Sequence, residues 1–260
     1  MDDFSRRFEI RQLGPEHLEW TCALMAHSHM FCGPVFSPIY PPDQRTERAY
    51  DVFKALLPMT EPRLTTGLSY GVFDKEYTFK RKPGGGLYWD MNDLAATSEQ
   101  LLEQMDFPLV SVVQRYDASS TLDMGRLEPL LKVYPLLGQA VKRQKELTTD
   151  DPSTGIGPGK IIKWGGTATR ADFMGFGIMK KLTHALMSNA ADLGFEGIMI
   201  HAVHDAVIHV WMNPPEPSFK SKMLSSFRIN EMEEEEENGK KVIPYPDMEQ
   251  LSALIYVSLK

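Results

Sequence analysis

The chain has 260 residues, a hydrophobic share of 42%, a charged share of 24% and a formal net charge of −7. Its length allows one large domain or two small ones, and its composition is typical of a globular protein with a sizeable core. The acidic balance argues against nucleic acid as a partner, no apolar run is long enough to span a bilayer, and two cysteines are too few for a disulfide framework. The opening residues lack the pattern of a signal peptide, so we expect a cytoplasmic protein without membrane or nucleic-acid partners.

The first elements are predicted from hydrophobic periodicity. Residues 8–13 alternate apolar and polar side chains, which predicts a half-buried strand, and residues 17–30 predict a helix. A proline-rich loop follows. A second helix is then predicted over residues 45–57, where Pro58 ends it because proline cannot continue the hydrogen-bonding pattern.

Three side chains in this part of the chain are candidates for substrate binding. His27 and His29 lie at the end of the first predicted helix. They either line a substrate pocket or a metal site, or they are the partly exposed imidazoles of an ordinary helix end. Trp89 belongs to an aromatic run that forms either the wall of a pocket or part of the core.

The middle of the chain mixes strands with helices. Strands are predicted over residues 68–73, 77–79 and 109–113, and a helix capped by Ser98 is predicted over residues 97–105. Further along, residues 122–147 are largely helical with interruptions at prolines, and a polar linker leads from there to residue 159.

A short strand, a glycine loop and a long amphipathic helix follow one another from residue 160. Residues 160–164 are β-prone, Gly175 and Gly177 lie in the loop, and apolar side chains then recur at three- and four-residue steps until Gly194. The first turn of a helix carries unpaired backbone N–H groups and partial positive charge, and glycines allow an anion to approach closely. This pattern predicts a phosphate-binding corner or, in the simpler interpretation, a tight turn that packs the helix onto the sheet.

The run Asp172-Phe-Met-Gly175-Phe-Gly177 resembles the signature motif of the GNAT superfamily, the Gcn5-related acyl-CoA N-acyltransferases. In that family the motif Arg/Gln-x-x-Gly-x-Gly/Ala connects the fourth strand to the third helix and cradles the pyrophosphate of coenzyme A. Both glycine positions match. Asp172 stands where the family has a basic or amide side chain, and Arg170 offers positive charge two residues earlier.

The resemblance implies an α/β fold with a mixed central sheet flanked by helices, and acetyl-CoA or another acyl-CoA as co-substrate, without a metal. A backbone N–H near residues 167–169 is expected to stabilise the oxyanion. The residues expected to contact the coenzyme lie on both sides of the loop: Thr167, Ala168, Thr169, Phe173, Met174, Gly175, Phe176, Gly177 and Ile178.

Compact GNAT domains join the strands before the motif more directly than this chain does. Residues 118–159 are therefore predicted to be a helical insertion before the motif strand, forming a lid or a substrate-specific wall. The insertion is expected to belong to a single GNAT-like domain of residues 1–260.

A strand over residues 197–203 and a short helix over residues 206–212, capped by Asp205, continue the family's order of elements. Many family members carry in this helix a tyrosine that protonates the departing thiolate. Trp211 occupies that place here and, because an indole does not give up its proton near neutral pH, it is a candidate substrate contact and not an acid.

The catalytic candidates are His201, His204 and Asp205, because no glutamate lies in the motif strand, where the family often carries its base. A histidine would accept the proton and Asp205 would orient the imidazole. The alternative is a buried structural histidine. A metal site formed with His209 is not predicted, because no pair of these histidines has the four-residue helical spacing.

The C-terminal part predicts a hairpin turn at Asn238-Gly239, with a solvated glutamate run at its tip, and an interior strand over residues 251–259. The resemblance to the GNAT superfamily implies an acyl-CoA-dependent N-acyltransferase, most simply an acetyltransferase, that acts on a small amine or related metabolite, and we expect a monomer or homodimer. Asp172 and Trp211 favour one alternative, a GNAT-fold lyase, isomerase or cyclase that does not use acyl-CoA. A non-catalytic binding protein is the other.

Overall fold

The computed structural model describes residues 3–120, 123–235 and 239–260. The helices are α1 (Asp3–Arg7), α2 (Leu18–His27), α3 (Arg45–Thr65), α4 (Ser98–Glu103), α5 (Met124–Val133), α6 (Pro135–Leu147), α7 (Ile178–Asp192) and α8 (Asp205–Met212). The strands are β1 (Phe8–Gln12), β2 (Tyr70–Asp74), β3 (Gly86–Leu87), β4 (Met105–Asp106), β5 (Leu109–Asp117), β6 (Ile161–Thr169), β7 (Gly197–Ala202), β8 (Lys220–Arg228), β9 (Glu234–Glu235), β10 (Lys241–Val242) and β11 (Leu251–Ser258).

Seven of these strands form one mixed sheet in the order β1-β2-β5-β6-β7-β11-β8. β6 and β7 run parallel, whereas β11 is antiparallel to both β7 and β8. A mixed central sheet with flanking helices was predicted, and it is confirmed. Within the described ranges, no helix combines the length and apolar character needed to cross a membrane.

The chain divides into two compact units, which we describe separately. The first consists of Met1–Tyr116, Thr121–Val133 and Gly165–Ala185, and the second of Asp117–Ser120, Tyr134–Trp164 and Leu186–Lys260. β6 therefore contributes its first four residues to the second unit and its last five to the first. Most of the predicted insertion belongs to the second unit, and the single-domain organisation stays a prediction.

In the first unit, α3 is longer than the helix predicted over residues 45–57. It continues through Pro58 and Pro62 to Thr65. A proline inside a helix costs roughly 3 kcal/mol. The buried side chains of Met59 and Leu64 lie beyond Pro58 on the same helix, and burying each of them contributes about 1.5–3 kcal/mol. Packing against the core therefore outweighs the local preference to stop.

The strand predicted over residues 77–79 is wrong, because this segment is a loop around a buried carboxylate. Asp106 is fully buried and accepts hydrogen bonds from the Tyr77 hydroxyl and from the backbone N–H groups of Lys80 and Arg81. Burial alone would raise the pKa of Asp106, but these hydrogen bonds outweigh it and lower the pKa. A side chain distant in sequence thus decides the local structure.

The predicted cap of α4 is one residue away from the real one. Thr97 Oγ1 accepts a hydrogen bond from the backbone N–H of Gln100 at 3.3 Å, and Gln100 Oε1 accepts one from the N–H of Thr97 at 2.8 Å. This reciprocal pair is a capping box, and it leaves Ser98 as the first helical residue.

In the second unit, β11 lies between β7 and β8, as expected for the interior strand predicted over residues 251–259. Sequence patterns missed β8 because this edge strand is rich in lysine and serine, and its pairing with β11 defines it. β9 and β10 pair antiparallel on either side of the predicted hairpin turn. Asn238 of that turn, and Leu122 at the start of a predicted helical stretch, lie outside the described residues.

Two neighbouring glycines beside the buried carboxylate give a matched test of the fold. Gly84 and Gly85 both have left-handed φ angles, 88° and 64°, so alanine at either position costs about 1–2 kcal/mol of backbone strain. A Cβ at Gly85 would also overlap the backbone carbonyl of Asp106, which adds about 1–3 kcal/mol. In urea denaturation we expect Gly85→Ala to lose more free energy of unfolding than Gly84→Ala. Equal losses would contradict the packing described.

Candidate functional site

The parallel ladder that joins β6 to β7 is short. It pairs Ile161 with Gly197 and ends three residues later, where Trp164 is opposite Ile200. β6 continues for five more residues, so the strand is longer than the predicted residues 160–164. The coenzyme contacts predicted at residues 167–169 therefore lie on β6 beyond its parallel ladder with β7.

Side chains of the first unit hold this second half of β6 through its backbone carbonyls. The bonds run from Arg63 Nη1 to Gly165 at 3.2 Å, from His29 Nε2 to Thr167 at 3.0 Å and from Ser111 Oγ to Ala168 at 3.0 Å. Because a carbonyl oxygen only accepts, Nε2 of His29 carries the proton. The segment is thus fixed by residues of a helix, a helical turn and a strand.

The predicted phosphate-binding corner has an open glycine loop. Gly175 and Gly177 have φ angles of 84° and 70°, and a Cβ built on either would meet no heavy atom within 4 Å. α7 begins directly afterwards with the buried Ile178, and the N–H of Lys181 donates to the Gly177 carbonyl at 3.1 Å. The left-handed backbone favours glycine, and the space above it allows an anion to approach the first turn of α7.

Asp172 does not add uncompensated negative charge to this corner. Its two carboxylate oxygens accept hydrogen bonds from Nε and Nη2 of Arg170, both at 3.0 Å. The Arg170 side chain is only 4% exposed, and its Nη1 also donates to the Phe107 carbonyl at 3.1 Å. Arg170 and Asp172 therefore neutralise each other. Arg170 does not supply the net positive charge expected from the sequence, and anion binding would rest on backbone N–H groups.

The aromatic and apolar side chains of the loop leave the glycines accessible. Phe173 is buried, with its ring edge-on to Phe8 at a centroid distance of 5.8 Å. Met174 and Phe176, on either side of Gly175, are 44% and 68% exposed. Phe173 thus anchors the corner to the core, while its two neighbours present an apolar surface to solvent.

Of the substrate-binding candidates in the first unit, only His29 reaches β6. His27 is buried, with Nε2 within 2.8 Å of the Ser98 carbonyl, and Trp89 donates its indole N–H to the Leu101 carbonyl at 2.8 Å. Burial lowers the pKa of both His27 and His29, so the neutral imidazoles are favoured. His27 and Trp89 act as core residues, and we leave them out of the proposed site.

At the start of α8, His204 and Asp205 have roles that differ from the predicted ones. His204 caps this helix, because its Nδ1 accepts the N–H of Ala206 at 3.0 Å, whereas Asp205 is the first helical residue. Asp205 Oδ1 accepts the N–H of Leu251 at 2.9 Å, so this carboxylate anchors β11 and does not orient an imidazole. Trp211 is buried and packs edge-on against Trp164, 4.7 Å between centroids, which makes it a core residue as well.

His201, half-buried on β7, has a partner that sequence reasoning missed. Its Nδ1 bonds to Oε1 of Gln144, and Nε2 of Gln144 donates to Ser252 Oγ at 2.7 Å. Because an amide oxygen only accepts, Nδ1 carries the proton, and Nε2 of His201 has no hydrogen-bond partner among the described residues. Burial lowers the pKa of His201 to about 4, so the imidazole is neutral near pH 7.

The sequence did contain a signal for Gln144. Leu136, Ala140 and Gln144 follow one another at four-residue steps and are the buried residues of α6. A polar side chain on the apolar stripe of a helix needs a buried hydrogen-bond partner, which identifies it as a residue to pair with a distant polar group.

Solved structures show that the chain has the GNAT fold, as the glycine motif predicted. It is similar to the C-terminal condensation domain of Ebony in complex with β-alanyl-dopamine, with a TM-score of 0.64 and 16% identity over 96% of this chain and 98% of that one. It is also similar to arylalkylamine N-acetyltransferase 2 from Aedes aegypti, with a TM-score of 0.56 and 11% identity over 97% and 99%. A third similar structure is the Drosophila melanogaster polyamine N-acetyltransferase that forms N-acetylagmatine, with a TM-score of 0.54 and 10% identity over 96% and 98%.

At these identities the likeness concerns the fold. No family model and no curated protein sequence matches the chain. The activity therefore has to be argued from the residues of the site.

The lowered pKa of His201 makes the stability of the fold depend on pH. Since folding lowers its pKa from 6.5 to about 4, the unfolded chain binds more protons between these values, and the stabilisation present above pH 6.5 is lost as the pH falls through about 4. We expect His201→Gln to flatten this loss in urea denaturation between pH 7 and 4, with the exposed His209→Gln as the matched control. The same slope for His201→Gln and the unsubstituted chain would contradict the assignment.

Proposed function

We propose that the chain is an acyl-CoA-dependent N-acyltransferase, most simply an acetyltransferase, that acts on the primary amine of a small molecule. The observation that carries this proposal is the open glycine corner at the start of α7. An unhindered left-handed loop followed by the free N–H groups of a helix start suits the diphosphate of coenzyme A.

Backbone groups of the corner would hold the diphosphate of the coenzyme. The N–H groups from Gly175 to Ile178 and the positive end of the α7 dipole would face the diphosphate, and the exposed side chains of Met174 and Phe176 would contact its less polar parts. Mutual neutralisation of Arg170 and Asp172 removes the Coulomb repulsion that an isolated carboxylate would cause. Asp172 therefore no longer favours chemistry without acyl-CoA.

Acyl-CoA supplies an activated acyl group as a thioester, and the chain has to supply a proton acceptor and oxyanion stabilisation. We assign the first role to His201, whose neutral imidazole presents the lone pair of Nε2. For the second we assign the backbone of residues 167–169 on β6, which is held in place through His29 and Ser111. Trp211 is buried and its indole does not give up its proton near neutral pH, so we assign it no role in proton transfer.

The names of the similar structures support an amine as acceptor. The Ebony domain holds β-alanyl-dopamine, an amide of an arylalkylamine, and the two N-acetyltransferases are named for arylalkylamines and polyamines. In all three cases the nitrogen that carries the acyl group belongs to a small amine. We extend that substrate class, and no individual substrate, to this chain.

Binding of acetyl-CoA tests the corner directly. Gly175→Ala adds a Cβ where the diphosphate would approach, so calorimetry should show acetyl-CoA affinity at least about ten-fold weaker than for the unsubstituted chain. Gly155→Ala is the matched control, because Gly155 also has a left-handed φ, 69°, and open space around its Cβ, but lies in the linker after α6. Equal affinity for the two variants would refute the assignment of the corner.

Acyl transfer itself is tested with acetyl-CoA and a panel of tyramine, dopamine, agmatine and spermidine, by following release of the free thiol. We expect turnover with at least one amine, and loss of about 10²-fold or more in His201→Gln, since general-base catalysis contributes about 10²–10⁴-fold. Absence of both turnover and acetyl-CoA binding would contradict the proposed function.

A further inference from the structure

We propose that Gln144 is a positioning residue that holds His201 in the tautomer with its proton on Nδ1 and its lone pair on Nε2. The proposal rests on the proposed function, because it uses His201 as the proton acceptor. The tautomer of His201, however, can be measured without any substrate.

Strand register places the three polar groups on one face of the second unit. His201 is paired with Leu254 of β11, and Ser252 lies two residues before Leu254, so its side chain points to the same face of the sheet. α6 packs against β11 and β8, and Gln144 is the last of its buried residues. The amide of Gln144 thereby contacts His201 with Oε1 and Ser252 with Nε2.

Both ends of Gln144 are held. Its side-chain amide bonds to two partners, and its backbone carbonyl accepts the hydroxyl of Thr148 at 2.7 Å. Thr148 Oγ1 lies 2.8 Å from Ser225 Oγ on β8, so the end of α6 is tied to the sheet. Gln144 and Ser252 are fully buried, and breaking one of these bonds would leave a polar group without a partner. The amide is therefore a rigid template for the imidazole.

An amide suits this role better than the carboxylate expected from Asp205. A carboxylate beside the ring would stabilise the imidazolium, in which Nε2 is protonated and cannot accept a proton. A neutral amide oxygen fixes the tautomer without adding charge. Burial is the main cause of the lowered pKa of His201; Lys163 of β6 acts in the same direction and Asp151, just after α6, in the opposite one. Among the described residues, Lys163 and Asp151 are the charged groups that act on the ring.

The predicted insertion thereby gains a second role. The sequence predicted a lid or a substrate-specific wall for residues 118–159, yet α6 belongs to this stretch and carries Gln144. A segment that distinguishes this chain from compact GNAT domains would then supply part of the proton-transfer apparatus.

The experiment is a long-range ¹H–¹⁵N spectrum of the full chain with ¹⁵N-labelled histidine, in which His201→Gln assigns the His201 signals. We expect a protonated Nδ1 and an unprotonated Nε2 at pH 7. Gln144→Met should abolish this preference, and Ser252→Ala should weaken it because Gln144 loses its second anchor. Gln139→Met is the matched control: Gln139 lies on the same helix and bonds to Glu234 and Tyr245, so its loss should leave the His201 signals unchanged.

Kinetics with the most active amine of the panel give the second readout. Gln144→Met should lower kcat/KM about ten-fold or more, part of the roughly 10²–10⁴-fold that a general base supplies. Gln144→Glu restores an acceptor for Nδ1 and adds charge, so it should recover activity relative to Gln144→Met. It should also move the acidic limb of the pH profile upward by about one pH unit or more.

The two proposals fail in different ways. A proton on Nε2 in the unsubstituted chain, or a tautomer that Gln144→Met leaves unchanged, overturns the role of Gln144 whatever the activity. A turnover and pH profile that both Gln144 variants leave unchanged also overturns it. Lack of both acetyl-CoA binding and turnover with every amine, together with the expected tautomer and its dependence on Gln144, supports the positioning contact and contradicts the proposed function instead.

Discussion

The left-handed backbone at Gly175 and Gly177 is the constraint on which the proposed site depends. Two positive φ angles, at Gly175 and Gly177, turn the chain from the end of β6 into α7, and the absence of Cβ atoms keeps the approach to the helix start open. Phe173 and Ile178 pack into the core on either side and keep the loop in this shape. The anion site is thus built from backbone geometry, and its strength would come from N–H groups and the helix dipole.

Charge is balanced locally in each of the two units. At the corner, the buried Arg170 is neutralised by Asp172, which explains how a carboxylate can occupy a motif position where a basic residue is usual. At β7, burial keeps the imidazole of His201 neutral, and the neutral amide of Gln144 adds no charge that would favour the charged form. In each case the partner of a titratable or charged side chain helps to determine the charge that the site presents. The amino-acid composition alone does not reveal which side chains are paired.

The sequence predicted the elements whose signal is local. The periodicity before Gly194 predicted α7, the alternation at the N-terminus predicted β1, and the resemblance of the glycine motif predicted the fold. Predictions failed where a distant partner decides: α3 continues past Pro58 because of core packing, and the buried Asp106 turns a predicted strand into a loop. The same reason hid Gln144, which lies 57 residues before His201 in the chain.

The central claim is that the amides where the loop becomes α7 bind the diphosphate. The most direct measurement is a ¹H–¹⁵N correlation spectrum of the uniformly labelled chain, titrated with coenzyme A and, in parallel, with inorganic pyrophosphate. The account predicts that both ligands shift the amide signals of Gly175, Phe176, Gly177 and Ile178 more than the amide signals of the later turns of α7. Coenzyme A that binds without shifting these four signals, or that does not bind at all, would contradict it.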